Sequence, residues 1–225
     1  MNKNPFFFGL LRRKELVVPS FRGVVLALIL LVTTGYGLLK TIHPFLAVNE
    51  PLDESMRSEI LVVEGWVPDY CLREAITLFR ARHYQLLVTT GGPLPDGTDF
   101  SHLGSHAEFA ANSLQQMGLS KDSIVAVPSS WASKDRTYME GVALKAWIKK
   151  SDKHFSKLDL FSFSAHSRRS RYLYHKALGP DYSLGIYAPK DIGYDAQYWW
   201  KSSNGVRQIS DEAIAYLYAI LIFKE

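Results

Sequence analysis

Between Arg22 and Lys40 the chain runs for 17 residues without a charge, GVVLALILLVTTGYGLL from Gly23 to Leu39. Such a stretch cannot be left in water, and with Phe21 and Ile42 drawn in and the flanking cations snorkelling to headgroups it reaches the roughly 20 residues that about 30 Å of hydrocarbon requires. The sequence therefore predicts a transmembrane anchor helix over residues 21–42, preceded by a basic leader over 1–20. Lys3, Arg12, Arg13, Lys14 and Arg22 precede the stretch against a single Glu15, and Glu50, Asp53 and Glu54 come after it. Lys and Arg bias orients a span, so the expected topology is single-pass in the cytoplasmic membrane, N-terminus in the cytoplasm and remainder extracytoplasmic, that is, periplasmic. A cleaved signal peptide would show small residues at the cleavage positions; Lys40-Thr41-Ile42-His43-Pro44 stands there instead. A buried core helix would show polar positions at helical spacing, and Thr33 and Thr34 are its only aliphatic hydroxyls.

The net charge of +4 matches the excess in residues 1–22. The rest of the chain is close to neutral, so no nucleic-acid partner is expected. Cys71 is the sole cysteine. It excludes an intramolecular disulfide and any cysteine-rich zinc site, and reads as a small core hydrophobe.

Residues 43–57 hold Pro44, Pro51 and several acids, and read as a linker. From 58 to 225 short apolar runs alternate with helical spacing. Strands are expected at Ile60 to Val63, Leu86 to Thr90, Ile124 to Val127, Leu158 to Ser164 and Leu184 to Tyr187. Helices are expected at Asp69 to Arg82, Ser105 to Met117, Thr137 to Lys149, Arg168 to Leu178 and Ser210 to Phe223. Strict alternation implies an α/β domain of Rossmann-like, doubly wound type with a mostly parallel sheet.

Ligands in such sheets lie beyond the carboxyl ends of the strands. The residues there are Glu64 and Gly65; Thr90, Gly91 and Gly92; Pro128 to Ser130; and Ser164, Ala165 and His166. Gly91-Gly92 can present backbone N–H groups to an anion beside the N-terminus of the Ser105 helix, or simply form a turn. Ser164-Ala165-His166-Ser167-Arg168-Arg169-Ser170-Arg171 places an imidazole and three guanidiniums at a helix start, where cations oppose the dipole. Either an anionic ligand or a carboxylate such as Glu64, Asp135 or Glu140 must answer them. Asp99, His102 and His106 are a weak metal set in a Gly/Pro-rich segment, and Ser105 or Ser164 with His166 suggests hydrolase chemistry without its G-x-S-x-G elbow. Tyr194, Tyr198, Trp199 and Trp200 either pack a long loop, stack on a ligand ring or meet headgroups.

The ordered strand ends resemble the YdcF-like family of bacterial envelope proteins, over about residues 58 to 225. The matching motifs are Glu64-Gly65, Thr90-Gly91-Gly92, Ser105-His106-Ala107, Arg136-Thr137 with Glu140, and His166-Ser167-Arg168-Arg169-Ser170. The chain departs from the pattern at Glu64-Gly65-Trp66 in place of a glycine run, at His106 in place of an acid and at Ser170 in place of alanine. The resemblance implies an envelope protein of peptidoglycan or lipid-carrier metabolism. It identifies no cofactor for a domain outside the cytoplasm. Three readings are open: a domain that binds and processes a phosphorylated, lipid-linked intermediate such as a polyprenyl phosphate; a non-catalytic envelope factor acting through protein partners; and, were the domain cytoplasmic, a nucleotide- or S-adenosylmethionine-dependent enzyme. In the first, His166 is the acid or base with Glu64 orienting it, Arg169 clamps phosphate, and Gly65, Thr90, Gly91, Gly92, Ser105, Arg136, Thr137 and Glu140 complete the binding set.

Overall fold

The computed structural model describes residues 18–53, 58–95, 104–132 and 134–224. The chain divides between Leu39 and Lys40 into two compact units. Helix α1, Phe21–Leu46, is long and apolar enough to cross a membrane, and none of its most apolar window is buried against protein. Thr33 does not leave a hydroxyl unsatisfied in that stretch: its Oγ1 donates back to the carbonyls of Ile29 and Leu30, at 2.9 and 3.1 Å.

The second unit is an α/β domain. Its strands β1 (Ile60–Glu64), β2 (Leu86–Gly91), β3 (Ile124–Pro128), β4 (Lys157–Phe161) and β5 (Ser183–Tyr187) form one sheet in the order β3-β2-β1-β4-β5, all parallel. Helices α2 (Asp69–Arg82), α3 (His106–Gln116), α4 (Arg136–Lys150) and α5 (Ser167–Leu178) connect or follow these strands, and α6 (Ser203–Leu221) closes the fold. This is the Rossmann-like doubly wound architecture that the alternation predicts. The alternate side chains of β1 show why its run is apolar throughout. Leu61 and Val63 face a core shared with Cys71, Leu72 and Ile76 of α2 and Leu114 of α3. Ile60 and Val62 face the opposite core, with Leu144 of α4 and Tyr174 of α5. Five strands wound both ways from β1 put the reversal of strand order between β1 and β4.

Several expected boundaries change, among them the end of the fourth strand, which is Phe161 rather than Ser164. The helix expected at 21–42 continues through Pro44 to Leu46, and the segment read as a linker is packed into the domain as far as residue 53. Leu46, Val48 and Leu52 are buried. Glu50 and Ile186 exchange backbone hydrogen bonds of 2.8 and 2.9 Å, which covers the edge strand β5. The Leu52 N–H donates to Asp159 Oδ1 at 2.8 Å, and the Tyr84 hydroxyl donates to Asp159 Oδ2 at 2.8 Å. Residues 54–57 lie outside the described set. α6 begins at Ser203 rather than Ser210, because Ser202 caps it through the Gly205 N–H at 3.0 Å.

The strand ends are roofed closely by α3. Ser105 caps α3, its hydroxyl accepting from the Glu108 N–H at 3.2 Å and donating to Glu108 Oε2 at 2.7 Å. A Cβ on Gly65 would collide with the His106 carbonyl, and one on Gly91 would sit 2.8 Å from the Ala107 nitrogen. Both glycines let backbone meet backbone. Gly65→Ala must push α3 off the sheet, and we expect it to cost about 2–4 kcal/mol. Thermal unfolding of the detergent-solubilised full chain should show it as a lowered midpoint; an unchanged midpoint would mean α3 can shift freely.

Candidate functional site

At the junction of β1 and β4 a fully buried carboxylate, Glu64, ends the central strand. Its oxygens accept from Ser162 Oγ at 2.5 Å and Ser170 Oγ at 2.7 Å. Ser162 directly follows β4, and Ser170 lies on the first turns of α5. Between them a 3-10 turn, Ser164–His166, carries His166 to the start of α5. Ser164 takes a left-handed backbone there, φ 40°, with its N–H donating to the Pro189 carbonyl at 3.1 Å.

His166 is buried, held at one ring nitrogen and without a partner at the other. Its Nδ1 lies 2.8 Å from Glu212 Oε1 and 2.8 Å from Arg169 Nη2. Arg169 grips the same carboxylate bidentately, Nε to Oε2 at 2.9 Å and Nη2 to Oε1 at 3.0 Å. The indole of Trp66 meets the imidazole edge-on at 4.8 Å between ring centres. With a proton on Nδ1 the ring donates to Glu212; without one it accepts from Arg169. In both tautomers Nε2 is buried with no hydrogen-bond partner, and its nearest carboxylate oxygen is Glu64 Oε1 at 3.8 Å.

His166, Arg169 and Glu212 open onto a cleft of about 950 Å³. The start of α4 lines it as well. Asp135 occupies the cap position with a left-handed backbone, φ 58°, and its side chain makes no cap hydrogen bond. Among the described residues, no side chain caps the first N–H groups of α4, which lie beside Lys134 and Arg136. Gly92, His106, Thr137 and Glu140 also line this cleft, and Leu173, Ala215, Tyr218 and Ala219 give it an apolar side.

Three titratable groups here depart from their ordinary values. Glu140 is pushed up to about 8, first by burial and then by the charge of Glu64, with the Tyr174 hydroxyl donating to its Oε2 at 3.1 Å only partly offsetting this. Tyr174 is itself hydrogen-bonded to Thr90 Oγ1 at 2.6 Å. For Glu212 burial works against the charge, but hydrogen bonds from His166 and Arg169 override it and bring the carboxyl to about 2. His106 is lowered by burial and by the positive charge of Arg136.

Of the residues singled out from sequence, the fold brings Gly92, Arg136, Thr137, Glu140, His166 and Arg169 to one cleft. Glu64 lies beneath it, against the base of His166. Gly65, Gly91, Thr90 and Ser105 are absent from the lining. Gly65 and Gly91 pack under α3, Thr90 bonds to Tyr174, and Ser105 caps its own helix. The first N–H of α3 is also engaged, His106 donating to the Gly92 carbonyl at 2.9 Å, so the helix start open to an anion is that of α4 rather than α3. Asp99 and His102 fall outside the described residues; among those described, no three metal-ligating side chains converge. Ser105 bonds Glu108 and Ser164 faces the Tyr194 hydroxyl at 3.3 Å, so neither meets His166.

The carboxylates that answer the arginines differ from those expected. Glu212 pairs with Arg169 and Glu50 with Arg171, while Arg168 donates to the Phe45 carbonyl. Glu212 is the residue that sequence reasoning missed. Its signal is the spacing Gln208, Glu212, Ala215, Ala219 on α6, a stripe of polar and small side chains that all line the cleft.

No protein-family model matches the chain, and no curated protein does.

Because the folded state holds a proton on Glu140 that the unfolded chain releases above about 4.5, stability should fall as pH rises from there through about 8. Glu140→Gln should remove that decline, matching the parent near pH 5 and melting higher at pH 8.5. Glu212→Gln should act oppositely. Its parent carboxylate contributes stability present at neutral pH and lost as pH falls from about 4.5 towards 2, so the variant should lose about 1–3 kcal/mol at pH 7. Melting curves across pH check both signs.

Proposed function

We propose that this chain is a single-pass membrane protein whose α/β domain binds a phosphorylated, lipid-linked intermediate of the cell envelope and processes it by proton transfer at His166. The observation that carries this reading is the state of that side chain. Its Nδ1 is fixed by Glu212 and Arg169, while its buried Nε2 has no partner at the base of a cleft also lined by Arg136, Lys134 and the start of α4, which no described side chain caps. A phosphate seated on Arg136 and the α4 N–H groups would neutralise that positive charge and offer an oxygen to Nε2. Arg169 has Nε and Nη2 committed to Glu212. It therefore positions His166 first, with Nη1 left to reach a ligand. Burial and the charge of Glu64 raise the carboxyl of Glu140, which lessens its repulsion of an anion.

The lipid part of the reading is supported by α1, whose apolar length suits a bilayer, and by the apolar side of the cleft. The basic leader and the acids after the span favour an extracytoplasmic domain, which in turn disfavours cytosolic nucleotide cofactors. The second reading is a binding factor without turnover. What favours it is that, among the described residues, no hydroxyl or thiol stands within hydrogen-bond reach of His166 Nε2 as an aligned nucleophile.

Binding of undecaprenyl phosphate to the full chain in nanodiscs separates these outcomes. Arg136→Ala should weaken it about tenfold or more, the loss of one charge-assisted contact. His166→Gln should leave affinity nearly unchanged and abolish any turnover. Affinity unaffected by both Arg136→Ala and Arg169→Ala would rule out phosphate recognition in this cleft.

A further inference from the structure

The aromatic segment before α6 has no part in the cleft, yet it is built around one particular cation. Lys40 is the first charged residue after the 17-residue uncharged stretch. Where α1 crosses a bilayer, this ammonium lies in the headgroup layer, since moving inward buries the charge and moving outward drags apolar residues into water. Whatever touches Lys40 Nζ shares its depth.

What touches it is a 3-10 segment, Ala196–Lys201, kinked at Tyr198. Lys40 Nζ donates to the Gln197 carbonyl at 3.3 Å and stands 4.3 Å over the Tyr198 ring and 5.0 Å over the Trp200 ring. Lys201 Nζ covers Tyr198 as well, at 4.4 Å. One turn of α1 further on, His43 meets Tyr194 edge-on at 5.8 Å between ring centres. Asp195 caps the segment through the Gln197 N–H at 2.8 Å, so the rings stand on ordered backbone. Trp199 is buried and anchors it, whereas Tyr198 is 40% exposed and Trp200 partly so.

Amphipathic rings interleaved with lysines are the composition of a membrane interface, where the ring sits at the glycerol level and the ammonium meets lipid phosphate. We propose that the segment Ala196–Lys201 is a bilayer-docking element, with Tyr198 and Trp200 entering the phospholipid headgroup layer and Lys40 and Lys201 pairing with its phosphates. The inference rests on α1 crossing the membrane, and makes no use of which side the domain occupies or of what the cleft binds.

The test uses the full chain in nanodiscs of phosphatidylcholine and phosphatidylglycerol, with a nitroxide at Tyr198→Cys in a Cys71→Ala background and a control label at Lys149→Cys, an exposed position on α4. Nickel chelated to lipid headgroups should relax the Tyr198→Cys label and spare the control, while a water-soluble nickel chelate should do the reverse. In parallel, brominated phospholipid should quench the tryptophan emission of the otherwise unmodified protein, and Trp200→Phe should remove that quenching. A Tyr198→Cys label as open to the aqueous chelate as the control overturns the proposal. So does one shielded from both reagents, which would place a protein partner there. Alkaline carbonate extraction separates the two levels: protein that stays in the membrane with a water-exposed Tyr198→Cys label refutes the docking element alone, whereas protein that is extracted refutes the spanning helix and this inference with it.

Discussion

A carboxylate with no access to solvent sits at the end of the central strand, and much of the local architecture results from accommodating it. Glu64 cannot be left bare in a core of valines and leucines, since an unpartnered charge there costs several kcal/mol. Ser162 closes one oxygen from the strand beside it and Ser170 closes the other from the next helix. Those two hydroxyls fix how α5 leaves β4. The departure in turn fixes where His166 points, because the imidazole lies on the single 3-10 turn between them. Glu64 thus acts as the ground against which the site is positioned, and the carboxyl of Glu140 nearby is raised first by its own burial and then by the charge of Glu64.

Charge in the cleft is arranged in two halves. On the α5 side Arg169, Glu212 and His166 form a closed cluster in which the guanidinium and carboxylate cancel, which is why the arginines tolerate a helix N-terminus that normally repels them. On the α4 side Arg136 and Lys134 are exposed and the helix start has no side-chain cap among the described residues. The uncancelled positive charge of the cleft thus lies at the start of α4, while the charges around His166 are internally paired.

The sheet and its helices were readable because a strand buried on both faces has to be an unbroken apolar run and each amphipathic helix has to repeat at 3.6 residues. His166 was readable because parallel sheets gather chemistry at strand ends, and Arg169 because a guanidinium at a helix start needs an answering negative charge. Glu212 was not, since it answers Arg169 from 43 residues away and only folding α6 onto the cleft brings them together. Nor was the docking of residues 43–53. Pro44 and Pro51 signal a break in local structure, but the contacts that hold the segment come from β4 and β5. The roles of Gly65 and Gly91 depend on how near α3 approaches, a distance no local pattern encodes.

The bond from Leu52 to Asp159 joins residues 107 apart in sequence, and Gly185 exists in the form it does because a Cβ there would collide with both partners. This has a consequence for the order of assembly. During synthesis the segment after the apolar helix emerges early, but its partners on β4 and β5 are made only after more than half of the remaining chain. Until then Leu46, Val48 and Leu52 have nowhere to bury, and contacts of such long sequence separation form late. A chain inserting N-terminus first would hold an unfinished domain beside the membrane until its fifth strand arrives, which makes completion of β5 the event that converts a tethered polypeptide into a folded protein.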